Sequence, residues 1–136
     1  MNWLPYSLVT IVCWGFMGFI TKLTYKYFSW HQIFVVTNIV PFATSLLILF
    51  LLKRSINIHS LGFGYALLAG VASALGAIAF YSALGVGNAI IVVPLTALYP
   101  VVTVILSYLI LHEEISLIKG VGLMLALVAI ILISVD

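Results

Sequence analysis

A chain of 136 residues that is 65% hydrophobic and only 6% charged cannot hide its apolar surface inside a water-soluble fold of that length. Its net charge of +2 is too small, and its basic residues too scattered, for a nucleic-acid surface. The single cysteine, Cys13, sits in an apolar stretch, which excludes a disulfide framework and leaves no cysteine-based metal site.

The first predicted element covers about residues 5–25, from Pro5 to the segment "TKLTYKYFSW". No basic segment precedes it and further apolar spans follow, so it reads as a first membrane helix and not a removable leader. Its central Trp14 is a candidate for the wall of a binding cavity. Lys22, near its end, is a candidate interfacial or gating cation, placed where a lysine can snorkel toward water. The second element covers about 30–52 and stops at Lys53-Arg54. It contains Asn38, whose amide needs a partner at membrane depth, either across helices or toward a bound solute. Pro41 is a candidate kink.

The third element covers about 61–84 and is ended by the glycines of "GVGN". Ala66, Gly70 and Ala74, with Ala72 and Gly76, repeat at four-residue spacing and would let another helix approach closely. Ser73 and Tyr81 are the polar candidates of this element, Tyr81 for the wall of a binding cavity. The fourth, about 88–112, starts at Asn88, a good N-cap. It carries Pro94 and Pro100, each of which removes a backbone donor. Thr96, Tyr99 and Thr103 recur at three and four residues, a spacing that puts them on one helix face. That face either lines a solvated cavity or has hydroxyls bonded back to their own helix. The element ends in the doublet Glu113-Glu114, which reads as an interfacial stop or a gate. The fifth covers about 117–135 and includes Gly122 and Ala126 at four-residue spacing.

Five continuous apolar runs of about 20 residues are helices, because a strand in a membrane barrel needs only about ten, with alternation. The fold class expected is therefore an all-α integral membrane protein, a bundle of five transmembrane helices in a single domain over 1–136. The acids are Glu113, Glu114 and Asp136, all at predicted span ends. No catalytic constellation, metal set or cofactor motif follows, so an enzyme is not expected.

The segment "AFYSALGVGNAIIVVPLTALYPVVTVILSYLILHEEISLIKGVGLMLALVAIILIS", with "CWGFMGFITK" earlier, resembles an EamA-type repeat of the drug/metabolite transporter superfamily. The resemblance rests on Ala83-Leu84, Asn88-Ala89, Pro94, Pro100-Val101, an interfacial glutamate, Gly120 with Gly122, and Trp14-Gly15 followed by Lys22. It implies a carrier of small metabolites or drugs, built in many members from two such repeats. The related small multidrug resistance family carries an acidic residue in its first span. This first span has none, so proton-coupled export of that kind is not expected.

An odd number of crossings puts the termini on opposite sides of the membrane, and a second copy would then be inverted, as alternating access requires. Lys53, Arg54 and Lys119 fall on one side and Lys22 and Lys26 on the other, a near balance of the charges that set orientation. The expected partners are membrane lipid, a small-molecule substrate, and an antiparallel second copy or a sister five-helix chain. The expected location is a prokaryotic plasma membrane. A flippase for a lipid-linked sugar and an assembly subunit of a membrane complex are the other readings.

Overall fold

The computed structural model describes residues 3–53, 56 and 58–135, the side chain of Ser134 excepted. Arg54 and Asp136, which entered the charge reading, lie outside the described residues. Every regular element among the described residues is helical: α1 (Leu4–Thr24), α2 (Trp30–Leu52), α3 (Leu61–Val86), α4 (Ala89–Thr96), α5 (Tyr99–Ile110) and α6 (Leu117–Ser134). In an apolar solvent the backbone must satisfy its own hydrogen bonds, and a helix does so within one segment.

Four stretches are long and apolar enough to cross a bilayer: Leu4–Thr24, Trp30–Leu52, Leu61–Val86, and Ala89–Ile110, which joins α4 and α5. The fifth, α6, has 18 residues. At about 1.5 Å per residue it reaches roughly 27 Å, just under the hydrocarbon thickness.

The chain divides into two compact units, one ending at Val86 and one beginning at Gly87. In the first, local chemistry sets the helix ends. Pro5 occupies the opening turn of α1, where a missing N–H costs nothing. Ser29 precedes α2 in extended conformation, and its N–H donates to Gln32 Oε1 at 2.9 Å, half of a capping box. Lys53 ends α2 at φ 48°, the left-handed conformation that closes many helices. Ser60 receives the Phe63 N–H at α3's start, on Oγ at 3.2 Å and on the carbonyl at 3.0 Å. Pro41 lies inside α2 without ending it. Within this unit α2 packs along α3.

In the second unit α4 packs along α6. The residues between α4 and α5 form a turn at Ala97 and Leu98. The Ala97 N–H reaches Val93 O at 3.1 Å and the Leu98 N–H reaches Leu95 O at 3.2 Å. Pro100 has no N–H to return to the Thr96 carbonyl, and Pro94 none for Ile90. The fourth span is therefore interrupted at mid-length by a two-residue turn, in the region where the sequence places its kinks. α6 begins at Ser116, whose Oγ accepts the Lys119 N–H at 3.4 Å.

Candidate functional site

The polar residues of the first unit fall into two groups. At one end, side chains reach from helix to helix. Lys22 Nζ donates to the Leu84 carbonyl of α3 at 2.7 Å and lies 5.7 Å from the centre of the Tyr25 ring. Leu84 O belongs to the last turn of α3, where carbonyls lack helical partners and the helix dipole is negative. A lysine there makes a charge-assisted bond with a backbone acceptor. The Tyr25 hydroxyl donates to the Tyr81 carbonyl one turn earlier on α3. Gly85 makes room for the tyrosine, since a Cβ in its place would stand 3.1 Å from Tyr25 Cε1. α3 runs two residues beyond the expected end, through Gly85 and Val86.

Tyr81 itself is 6% exposed and Leu84 fully buried. The Tyr81 ring meets Phe34 edge-on at 6.0 Å and Phe80 at 5.6 Å, arrangements aromatic quadrupoles favour. Thr21, 3% exposed, and Ile33 complete the cluster. Tyr81 was named from sequence as a cavity wall; the structure places it inside this packed end.

Away from that end, the polar side chains serve their own helices. Asn38 Nδ2 donates to Phe34 O at 2.7 Å, and Thr37 Oγ1 donates to Ile33 O, also at 2.7 Å. Asn38 thus meets its helix and not a neighbouring one, and it remains exposed. Trp14 is 56% exposed. Added Cβ atoms at Gly70 and Gly76 would meet nothing within 4 Å, so the small-residue face of α3 is not closely packed there.

In the second unit, Thr96 Oγ1 donates to Val92 O at 2.8 Å and Val93 O at 3.0 Å. Thr103 Oγ1 donates to Tyr99 O at 3.4 Å. Tyr99 is 57% exposed. Thr96 closes α4 and Tyr99 opens α5, with the two-residue turn between them. Tyr99 and Thr103 remain four apart on α5. Near the other end of α5, His112 takes φ 54° and the Glu113 N–H folds back to Ser107 O at 3.3 Å. Glu113 and Glu114 are exposed and share a surface hollow of about 300 Å³ with Tyr108, Leu109 and His112. No grouping of His, Cys, Asp and Glu suited to a metal occurs among the described residues.

The interhelical ties through Tyr25 are what the sequence reading missed, since Tyr25 stands in "TKLTYKYFSW" among residues suited to a membrane interface. The available signal was the spacing of Lys22 and Tyr25, three apart on one face, opposite a small residue at Gly85.

Residues 1–135 match the EamA-like transporter family. The chain belongs to that family. This EamA-like chain is thus an integral membrane protein of a transporter family. It is also 34% identical over 133 residues to an uncharacterized protein of Methanocaldococcus jannaschii, a match that spans 96% of this chain and 94% of that relative. No solved structure gives a significant match.

Proposed function

We propose that this EamA-like chain moves small metabolites or drugs across a prokaryotic plasma membrane by alternating access, working as one member of an antiparallel pair. The observation that carries the reading is the broken fourth span, with Pro94 and Pro100 flanking the turn at Ala97 and Leu98 in a chain of a transporter family. Discontinuous helices leave backbone carbonyls available at membrane depth, which is tolerated where they line a cavity. Each unit supplies candidate substrate contacts in this proposal: Trp14 and Asn38 in the first, and Thr96, Tyr99 and Thr103 in the second, while Tyr81 is a buried support within the first. With so few charges among these residues, the solute expected is neutral, zwitterionic or aromatic.

Pairing with an inverted copy is supported by the near balance of lysine and arginine on the two sides and by five crossings. The open small-residue face at Gly70 and Gly76 offers a surface on which a second helix can sit closely. Counterflow in proteoliposomes against a panel of metabolites tests the carrier. Uptake of no tested solute above that of empty vesicles counts against it. A tag on the C-terminus, probed from both sides, tests the pairing. One fixed orientation rejects the homodimer in favour of a sister chain.

A further inference from the structure

The first unit is closed at one end only. Its buried positions among the described residues are Gly18, Thr21, Ile33, Tyr81 and Leu84. They come from the last turns of α1, the first turn of α2 and the last turns of α3, which the alternating course of the chain brings to one membrane face. Residues 4–17, 34–52 and 61–80 include no buried position.

Among the described contacts, α1 is tied to α3 at the closed face by two side-chain bonds to backbone carbonyls. Lys22 Nζ holds Leu84 O at 2.7 Å, and the Tyr25 hydroxyl holds Tyr81 O. Residues 22 and 25 are one turn apart on α1, and 81 and 84 one turn apart on α3, so the ties run side by side. Gly85 admits the Tyr25 ring between them. Tyr81 O is already the acceptor for the helical N–H four residues on, and Leu84 O lies in the last turn of α3, which becomes a solvated helix end once α1 moves away. Both ties can therefore break without stranding a buried carbonyl. A seal of interdigitated side chains would not separate so readily.

We propose that Lys22 and Tyr25 form a strap that shuts this face of the unit in one conformation, and that its release lets α1 swing from the last turn of α3 and opens the same face in the other. The inference rests on the carrier reading above, because alternating access requires each face to open in turn. Lys22 thereby becomes a gating residue through its contact with a helix terminus.

Thr21, at the centre of the closed face, reports the opening. The test places Thr21→Cys in a Cys13→Ser background, reconstitutes the chain in lipid vesicles, and measures the rate of modification by a small water-soluble thiol reagent. Lys22→Met is expected to raise that rate about tenfold, as loss of a charge-assisted hydrogen bond allows. Tyr25→Phe, which removes one oxygen and preserves the fold, raises it about threefold. Lys22→Arg, which keeps a donor in reach, stays within about twofold of the parent. Equal rates in all four proteins overturn the strap. A rise with Lys22→Arg as large as with Lys22→Met overturns it too, since packing and not the bond would then be at work. Counterflow on the same vesicles separates the two readings. Unchanged rates with active exchange reject the strap and leave the carrier. Raised rates without exchange of any solute support the strap and reject the carrier.

Discussion

The closed end of the first unit and the broken span of the second use polar side chains in opposite ways. In the first, Lys22 and Tyr25 reach across to carbonyls of another helix, and the residues around them are buried. In the second, Thr96 and Thr103 donate to carbonyls of their own helices, and none of its described residues is buried. A polar group that crosses between helices fixes their arrangement. One that folds back satisfies itself and leaves its face available. The contrast separates an end held by interhelical ties, at residues 18–34 and 81–85, from a proline region whose hydroxyls satisfy their own helices.

The sharpest way to break this comparison is to repair the fourth span. Pro94→Ala and Pro100→Ala together restore two N–H donors, toward Ile90 O and Thr96 O. The expected outcome is a continuous helix, unchanged or improved resistance to unfolding, and solute exchange reduced at least about tenfold, a loss of function where activity needs a strained element. Exchange measured in vesicles beside a denaturation midpoint reads both. A repaired protein with full exchange would mean that the break serves no transport purpose.

Next in size is Leu84→Ala at the closed end. Leu84 is 0% exposed, so truncation opens a cavity. The transfer component of the usual penalty is small when lipid is the alternative solvent. The cost expected is about 2 kcal/mol, near the lower limit for core leucines in soluble proteins. Unfolding of the detergent-solubilised chain checks it. The same truncation at Leu109, 60% exposed, should cost well under about 1 kcal/mol.

Gly85→Ala tests how firmly the strap holds. Alanine favours the helix by about 1 kcal/mol over glycine, yet its Cβ would press on the Tyr25 ring at 3.1 Å. The ring cannot turn aside while its hydroxyl is bonded to Tyr81 O. A net loss of about 1 kcal/mol is expected in the parent. In a Tyr25→Phe background the ring is released, and Gly85→Ala becomes neutral or stabilising. The double-mutant cycle measures this coupling directly. Additive effects would show that the tie does not hold the ring.

Much of the fold was legible because it rests on composition and period. Apolar runs of helical length admit one backbone solution in lipid, and Pro94 with Pro100 announces a disturbed span. The cluster at the closed end was less legible. Tyr25 beside Lys26, Tyr27 and Trp30 has the composition of an interfacial belt, and only the rotation of α1 against α3 decides that it turns inward. Asn38 was misleading for a related reason. A mid-membrane amide announces a need for a partner, but its own helix offers the Phe34 carbonyl one turn back. Spacing cannot tell this from an interhelical bond. The exact form of the turn at Ala97 and Leu98 was not legible, because two prolines six residues apart announce a disturbed helix without saying how many residues leave it.

The smallest expected effect separates the two regions by their hydroxyls. Thr96→Val removes an oxygen bonded only to its own helix among the contacts described. The two carbonyls it leaves, Val92 O and Val93 O, keep their ordinary places in the backbone, with Val93 O accepting from the Ala97 N–H. Such hydrogen bonds inside membrane proteins average about 0.6 kcal/mol, and valine matches threonine in shape. Stability should therefore change by less than about 0.6 kcal/mol. Tyr25→Phe, which removes a hydroxyl that spans two helices, should cost about 1 kcal/mol. If Thr96 faces solute, its substitution lowers apparent affinity in counterflow while the unfolding midpoint stays still. If it only serves α4, both measurements stay still, and Tyr99 and Thr103 are left as the second unit's candidate contacts.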